Sequence, residues 1–391
     1  MSAGHRQGRR MTTIYDVARM AEVSTSTVSR VLNGHSSVDP DLAARVRQAM
    51  LDLDYRPNAV ARSLRRQRTS LWAVIISDIG NPFFTSLVRG IEDVAQEAGF
   101  SVVLCNGDED PDKETRYVTA ALAERMAGVI ISPSGRPSLI NRLTETGMPV
   151  VAIDRQPRGV AVDTVLVDNV HGAEMATAHL VDSGYRRIAC ITGPRRISTA
   201  VQRLRGYQQA LRAAGRTVTE DLVRYADFRE DGGYRAMASL LDAAEPPDAV
   251  FVTNNLMTVG AVECLLDSEV VVPTQCGVVG FDDIPWAHLV RPSLSTVTQP
   301  TYDLGRAAAS LLTERITNPA KASSTVTLRT ALQVRESSVR AVGPPDAQPA
   351  DGGPGAAPTR SPGVEDTCPA ITARRHRTGA PAPRARRASR P

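Results

Sequence analysis

Small hydroxyl side chains and one arginine cluster near the start of the chain. They are Ser24, Thr25, Ser26, Thr27, Ser29 and Arg30. Hydroxyl groups can hydrogen-bond phosphates or base edges, and an arginine can bridge O6 and N7 of guanine. In a helix that Ser24 caps, these side chains form one face and the apolar residues form the other. The spacing therefore predicts a helix whose polar face suits the major groove of DNA.

Two further helical patterns flank this segment. The first has apolar residues at the i, i+3, i+4 and i+7 spacing of one helix face, namely Ile14, Val17, Ala18 and Ala21. The second begins at an Asp39-Pro40 cap and packs with Leu42, Val46, Ala49, Met50 and Leu53. Over 12–57 we therefore expect a helix-turn-helix head with one supporting helix. A three-helix bundle that binds no DNA is the alternative, but packing alone does not require the hydroxyl-rich face.

A short basic segment follows the head. Residues 58–64 span barely two helical turns, far below the ~12–15 residues at which isolated helices become stable. Leu64 is flanked by Arg62 and by three arginines that follow it. An exposed leucine beside cations suits a wedge in the minor groove, and an ordinary basic linker is the alternative. We expect 58–70 to be a hinge that becomes helical only on DNA.

Polar and aromatic side chains follow two candidate strands of the longer region, 71–338. They are Asp78, Phe83 and Phe84 after the first strand, and Asp154 and Arg155 after a later one. Ligands of α/β sheets bind at the carboxyl ends of strands. Carboxylate and guanidinium groups make bidentate hydrogen bonds that suit vicinal hydroxyls, and a phenylalanine ring can face a sugar or a base. The two phenylalanines could equally open an amphipathic helix as core residues.

Apolar β-runs alternate with helical patterns throughout this region. The candidate strands are 71–76, 101–105, 128–132, 150–153, 187–191, 249–253 and 277–281. This alternation predicts parallel, doubly wound sheets covered on both faces. Because about 270 residues are many for one sheet, two similar lobes with a ligand cleft between them are expected.

The composition is that of a soluble globular protein, with 42% hydrophobic and 23% charged residues among 391. The net charge is only +4, but positive charge concentrates at the two ends, where it could meet DNA. The five cysteines are scattered, which favours free thiols in a reducing cytoplasm. No signal core or ~20-residue apolar span is present, so no membrane segment is expected.

The two ends of the chain differ from the rest. Residues 1–11 have the composition of a loose leader, and 339–391 are rich in Pro, Gly, Ala and Arg. A segment so poor in bulky apolar residues cannot offset its ordering entropy, so a disordered tail is expected. It carries no heptad repeat of the kind that forms a coiled coil.

The head resembles a known family. The run from Thr13 to Asn33 looks like the DNA-binding signature of the LacI/GalR (lactose-repressor) family of transcriptional regulators, and Tyr55 to Leu64 looks like its hinge. The resemblance implies that bases are read by Thr25, Ser26 and Arg30. It implies further DNA contacts for Tyr15, Ser24, Thr27, Ser29, Asn33, Asn58, Ala61 and Leu64. One departure is Glu22, which stands at an inter-helix turn where many members have glycine.

The resemblance continues through 71–338. It implies a periplasmic-binding-protein-like sensor whose cleft contacts an effector through Asp78, Phe83, Phe84, Asp154, Arg155, Arg203, Phe228, Asn254 and Asp282. It further implies an allosteric repressor that binds a palindromic operator as a homodimer at the cytoplasmic nucleoid, with no catalytic group, metal or cofactor.

The polar residues of this set favour a sugar-like effector. A purine corepressor, stacked among Phe83, Phe84 and Phe228, is the second possibility. A stand-alone sugar-binding protein and an α/β enzyme are weaker alternatives, because the head has no place in either.

Overall fold

The computed structural model describes residues 12–32, 37–55 and 69–340. Its described elements form a helical head and two α/β lobes. The expected leader 1–11 and nearly all of the expected hinge and tail lie outside the described residues.

The head consists of three short helices around one apolar core. They are α1 (Ile14–Met20), α2 (Thr25–Leu32) and α3 (Pro40–Asp52). Val17, Val28 and Val46, one from each helix, are fully buried against one another. Leu42, expected in this core, is only half-buried, because Ala43 takes the buried position on that turn.

The turn between α1 and α2 accommodates Glu22 at the position where many family members have glycine. Glu22 has φ 52°, in the left-handed region that glycine adopts without strain. Arg45 of α3 donates from Nη2 to the carbonyl of Ala21 at 2.6 Å and to Glu22 Oε2 at 3.2 Å. Arg45 thereby holds both the backbone and the side chain of this turn against the third helix.

The first lobe is built around one six-stranded sheet. Its elements in chain order are β1 (Leu71–Ile76), α4 (Pro82–Glu97), β2 (Ser101–Asn106), α5 (Pro111–Ala123), β3 (Gly128–Ile131), α6 (Pro137–Glu145), β4 (Val150–Ile153) and β5 (Asp163–Val167). The strands are apolar runs buried on both faces by helices, as their composition predicts.

The second lobe repeats this plan. Its elements are α7 (Asn169–Asp182), β6 (Ile188–Thr192), α8 (Ser198–Ala213), β7 (Val223–Tyr225), α9 (Glu230–Leu241), β8 (Ala249–Val252), α10 (Asn255–Asp267), β9 (Gly277–Phe281) and β10 (Ser295–Thr298). The chain then returns through α11 (Thr301–Thr317) and β11 (Thr325–Leu328) of the first lobe, and ends with β12 (Ala331–Gln333) of the second.

The two sheets have matching strand orders, β11-β5-β4-β3-β1-β2 and β12-β10-β9-β8-β6-β7. Strand pairs are parallel except for β10 and β12. The described chain crosses between the lobes three times, after β5, β10 and β11. The carboxyl ends of both sheets therefore face one cleft, where loops from equivalent strands meet.

The predicted two-lobed parallel architecture is confirmed, and each of the seven predicted strands is present within one residue of its expected limits. The sequence did not predict β5, β7, β10, β11 or β12. Packing continues two residues into the expected tail, since the guanidinium of Arg340 lies 4.9 Å from the ring of Tyr185. Within the described ranges, no helix combines the length and apolar character needed to cross a membrane.

Candidate functional site

The polar face of α2 is the candidate DNA interface. The hydroxyl of Ser24 accepts from the N–H of Thr27 at 3.1 Å and lies 2.7 Å from that of Ser26. Ser24 thus caps the first turn of α2, as expected. Ser26 and Arg30 are exposed, whereas the remaining predicted positions on this helix, Thr25, Thr27 and Ser29, are half-buried.

An aromatic side chain adds to this surface from α1. Tyr15 is 68% exposed, so its ring and hydroxyl are accessible to a partner. Together these residues present hydroxyls, one cation and one ring to the solvent. Asn33, Asn58, Ala61 and Leu64 lie outside the described residues, so their expected DNA contacts remain predictions.

A second candidate site lies in the cleft between the lobes. The nine side chains expected to contact an effector all line one cavity: Asp78, Phe83, Phe84, Asp154, Arg155, Arg203, Phe228, Asn254 and Asp282. Asn81, Glu109 and Thr199 complete its wall. The structure thus brings together residues that are up to 204 positions apart, from Asp78 to Asp282.

Two carboxylates reach the cavity from equivalent strand ends. Asp154 follows β4 and Asp282 follows β9, the third strands of their sheets. Both have left-handed backbones, with φ of 66° and 73°. Their N–H groups donate 2.9 Å hydrogen bonds to the carbonyls of Val165 and Val297 on the neighbouring strands. Strain of this kind is typical of functional positions, and here it turns each aspartate out of its strand into the cleft.

Arg203 of α8 is held rigidly in the second lobe. Its Nε donates to Asn169 Oδ1 and its Nη1 to the carbonyl of Thr253, both at 2.8 Å. Nη1 also lies 3.3 Å from Asp282 Oδ2, and the guanidinium packs on the ring of Phe281. None of the hydrogen bonds among the described residues uses Nη2, so this nitrogen can donate to a ligand without losing a partner.

Arg155, directly after Asp154, is the cleft arginine of the first lobe. Both of its terminal nitrogens donate to the carboxylate of Glu109, and its guanidinium lies 5.6 Å from the ring centre of Phe228 across the cleft. Asp154 Oδ2 is 3.5 Å from Nε of Arg155 and accepts from Ser132 at 3.2 Å. Burial raises the pKa of Asp154 against the lowering effect of Arg155. Oδ1 of Asp154 accepts no hydrogen bond from the described residues, which leaves an acceptor for a ligand hydroxyl.

Two asparagines at the cavity have local structural roles. Asn254 accepts from the N–H of Met257 and thereby caps α10, and Asn81 caps α4 in the same way. Asn255 donates across the cleft to the side chain of Asn81 at 2.9 Å. Asn254 Nδ2 donates one hydrogen to Asn255 Oδ1 at 3.2 Å, which leaves its second N–H for a ligand, while the pair of Asn255 and Asn81 joins the two lobes.

An ion-pair latch also joins the lobes at the rim. Arg229 of the second lobe donates to Asp78 at 2.8 Å and to Asp108 at 2.7 Å in the first. Asp108 also pairs with Lys113, and the hydrogen bonds from Lys113 and Arg229 lower its pKa. Sequence reasoning missed Arg229 and Glu109, because the role of each depends on a partner that is distant in sequence.

Both the head and the two-lobed region match models of known protein families. Residues 13–58 match the model for bacterial regulatory proteins of the lacI family, and residues 69–335 match that for periplasmic binding proteins and the sugar binding domain of the LacI family. The ribose operon repressor of Escherichia coli (strain K12) is 38% identical over 311 residues, which cover 79% of this chain and 94% of that protein.

The chain belongs to the LacI family. Among solved structures, a transcriptional regulator CelR-cellobiose complex matches with TM-score 0.64 and 37% identity, covering 83% of this chain and 99% of that one. A lac repressor dimer bound to operator and the anti-inducer ONPF matches with TM-score 0.74 and 26% identity, covering 84% and 100%. The protein is thus a DNA-binding transcriptional regulator of the LacI family, with a helix-turn-helix head and an effector-binding sensor.

Removing the ion-pair latch of Arg229 should favour a conformation of this LacI-family sensor in which the two lobes lie farther apart. We expect Arg229→Gln to shift the lobes apart, because two ion pairs across the rim are lost; partly exposed pairs contribute about 0.2–1 kcal/mol each. X-ray scattering of the ligand-free protein would then give a larger radius of gyration. The matched control is Arg235→Gln, whose ion pair with Asp227 lies within the second lobe. Equal scattering from both variants and the parent protein would contradict the latch.

Neutralising Asp154 should raise stability while weakening ligand binding. Because its pKa is raised in the fold, the folded protein holds this proton more tightly than the unfolded chain. The stability from this group is therefore present at acid pH and is lost as pH rises through the raised pKa. At pH 7 we expect Asp154→Asn to raise the Tm, by about 2–4 °C for each kcal/mol gained.

The control for this variant is Asp163→Asn in the same lobe. Asp163 is equally buried but pairs with Arg315 at 2.8 Å and accepts from Ser324, so losing its charge should lower the Tm. Thermal unfolding of both variants at pH 7 and pH 5 gives the comparison. A lower Tm for Asp154→Asn at neutral pH would refute the expectation.

Proposed function

We propose that this regulator is a dimeric repressor that binds a palindromic operator and responds to a polyhydroxylated small molecule, of the sugar class, in the interlobe cleft. It acts on DNA in the cytoplasm, and its cleft binds the effector without converting it. The observation that carries the proposal is the convergence of carboxylates and arginines from both lobes on one cavity.

The hydrogen-bonding groups of the cavity favour hydroxyls. Asp154 Oδ1 can accept and Arg203 Nη2 can donate, so a pair of vicinal hydroxyls would find both partners. Each carboxylate is held by a cation or an amide; Asp282, for example, accepts from Arg203 and Gln299. Two similar proteins carry sugar names, the ribose operon repressor and the cellobiose complex of CelR, which supports this class of effector.

A purine corepressor is the second candidate, because three phenylalanines line the cavity. Phe83 and Phe84 are nearly perpendicular, at 84°, and both are buried, so they do not offer two parallel faces to a base. Phe228 lies under Arg155 and packs on Gly193. These contacts favour the sugar class over the purine.

Two exposed apolar surfaces support a homodimer. In the second lobe, the side chains of Leu266, Val271, Trp286 and Leu289 are 40–66% exposed around a groove of α10 and the loop after β9. In the first lobe, Ile79 and Leu104 are exposed beside the edge strand β2. Monomeric proteins rarely expose such patches, and a two-fold dimer would cover the same surface on both copies.

In this proposal the relative orientation of the two lobes couples effector binding to operator binding. An effector that contacts both lobes stabilises one relative orientation of them, and each orientation sets a different spacing between the two heads of a dimer. A coupling of ~1–3 kcal/mol would change operator affinity by roughly 5–150-fold. The expected hinge at 58–70 would transmit this change, since it joins each head to its sensor.

The test is selection of bound sequences from a pool of random duplex DNA at fixed salt, followed by titration of the selected duplex with sugars and purine bases. We expect a palindrome with two equal half-sites and a change in affinity with a sugar-class compound. The mass of the free protein should be twice the 41.9 kDa of the chain. Selection of a single half-site would exclude the dimeric mode, and a response to purines alone would exclude the sugar class.

A further inference from the structure

Positive charge is concentrated at the carboxyl end of the chain. Seven arginines and one histidine lie within 374–391, and no aspartate or glutamate follows Asp366. These seven charges exceed the net charge of the whole chain, +4, so residues 1–373 are net negative. The segment 374–390, here called the arginine block, lies outside the described residues. Its charge indicates a polyanionic partner.

The composition of the arginine block favours duplex DNA over other polyanions. The block contains no Phe, Tyr or Trp, so it offers no ring on which the bases of a single strand could stack. It contains no Leu, Ile, Val or Met, so it has no apolar face to insert into a lipid surface. Guanidinium groups match the closely spaced phosphates of a duplex, which carries one charge per ~1.7 Å of its axis.

The described chain ends at the outer side of the second lobe. The guanidinium of Arg340 lies 4.9 Å from the ring of Tyr185, and its Nη1 lies 3.5 Å from Asp248 Oδ2. Tyr185 comes shortly before β6 and Asp248 directly before β8, so both mark the amino edge of the second sheet. Ser338 is held by His179 at 2.7 Å, which fixes the segment before Arg340. The arginine block is therefore tethered to this edge.

The head joins the sensor at the opposite side. The chain enters the first lobe at Leu71, where β1 begins at the amino edge of the first sheet. Because the carboxyl ends of both sheets face the cleft, the two amino edges lie on the two outer sides of the sensor. Both lobes therefore separate DNA held by the head from the point at which the arginine block is tethered.

The tether is short compared with this separation. Residues 341–373 join Arg340 to the arginine block, and these 33 residues include seven prolines and five glycines. A chain of this length with coil statistics has an end-to-end distance of ~30 Å. A compact unit of the size of the sensor has a radius of gyration of ~18 Å and hence a length of at least ~50 Å. DNA beyond the second lobe is therefore closer to the block than the operator under the head.

We propose that the arginine block is a second, sequence-independent DNA-binding element, which contacts the phosphates of a duplex segment other than the one under the head. A regulator bound to its operator then holds a second stretch of DNA at the far side of its sensor. This inference depends on DNA binding by the head. It depends neither on the palindromic operator nor on the effector class proposed above.

The first test measures the affinity of the full-length protein for a short random duplex at several potassium chloride concentrations. Each phosphate contact contributes about 0.9 to the slope of log affinity against log salt, so loss of all seven arginines should reduce the slope by about 6. Lysine at the same seven positions keeps the charge and should keep the slope. An unchanged slope in the glutamine variant would overturn the proposal. The glutamine variant carries Arg374→Gln, Arg375→Gln, Arg377→Gln, Arg384→Gln, Arg386→Gln, Arg387→Gln and Arg390→Gln.

The second test determines whether the head and the arginine block hold different duplexes. The selected operator duplex is immobilised, saturated with protein and exposed to a labelled random duplex. The parent protein and the lysine variant should capture the labelled duplex. The glutamine variant should stay on the operator without capturing it, because its head is unchanged. Equal Tm values for the three proteins verify that the head and the sensor remain folded.

Three outcomes of the capture experiment would contradict the proposal. Equal capture by the glutamine variant would assign the second duplex to the heads of further molecules. A reduced salt slope without capture would place the arginine block on the operator duplex itself. Capture of labelled single-stranded DNA or RNA in preference to the duplex would assign the block to a different class of nucleic acid.

Discussion

Replacing Asp282 by asparagine should abolish the effector response while the head keeps its operator affinity. Asn has nearly the same shape as Asp and tolerates the left-handed backbone at this position, where φ is 73°. The change removes the charge that Arg203 faces at 3.3 Å, and it turns one of the two oxygens that accept from Arg203 and Gln299 into an NH2 donor. Arg203 then loses the orientation in which its Nη2 meets the ligand. With two charged interactions affected, effector affinity should fall about 100-fold.

The measurement is fluorescence anisotropy of a labelled operator, titrated with the effector at fixed protein concentration. Asp283→Asn is the matched control, because the adjacent carboxylate pairs with Arg335 at 2.9 Å and is not among the residues that line the effector cavity. That variant loses a partly exposed ion pair, so it separates lower stability from lost recognition. A full response in Asp282→Asn, or an equal loss in Asp283→Asn, would show that Asp282 does not contact the effector.

The strands that the sequence predicts are those whose identity depends on local composition alone. The strands β1, β3, β4, β8 and β9 are runs of apolar residues and glycine buried on both faces, a pattern typical of a central parallel strand. The edge strands β7, β11 and β12 have only three or four residues and are partly exposed, so their sequences resemble loops.

The strands β5 and β10, after which the chain leaves a sheet for the other lobe, were not predicted because they contain buried polar residues. The strand β5 begins with Asp163, which is 1% exposed and is satisfied by Arg315 of α11 and by Ser324 after that helix. In β10, Ser295 bonds to Ser337 and Ser338 near the end of the described chain. These partners are 40 to more than 150 residues away. No local pattern can identify a buried strand whose polar groups are satisfied at such distances.

The residues of the candidate site were likewise predicted only in part. Asp154 was predicted because it follows a recognisable strand, and the family resemblance identified Arg203, Phe228 and Asp282. Glu109 and Arg229 were not predicted, because Glu109 acts through Arg155, 46 positions away, and Arg229 through Asp78, 151 positions away. The sequence therefore predicted the residues that point into the cleft but not the contacts that hold it closed.

Replacing Arg30 by alanine should reduce the affinity for the selected operator about 10- to 100-fold, because one bidentate contact to guanine is worth ~1–3 kcal/mol of discrimination. Arg30 is exposed on α2 among the hydroxyls of Ser24, Ser26 and Thr27, so the substitution removes no core packing. Affinity for a random duplex should change much less, since non-specific binding depends on phosphates. Both affinities are measured by anisotropy at the same salt concentration.

The control for Arg30 is Arg19→Ala on α1. Arg19 is 81% exposed and lies 3.9 Å from Asp16 of its own helix, so this variant loses the same charge without touching the polar face of α2. Loss of a cation that contacts only phosphates should lower the affinity for the selected and the random duplex by the same factor. If Arg30→Ala also lowers both affinities by the same factor, Arg30 contacts the DNA phosphates. The bases must then be read by Thr25 and Ser26. A loss confined to the selected duplex establishes Arg30 as the residue that reads a base.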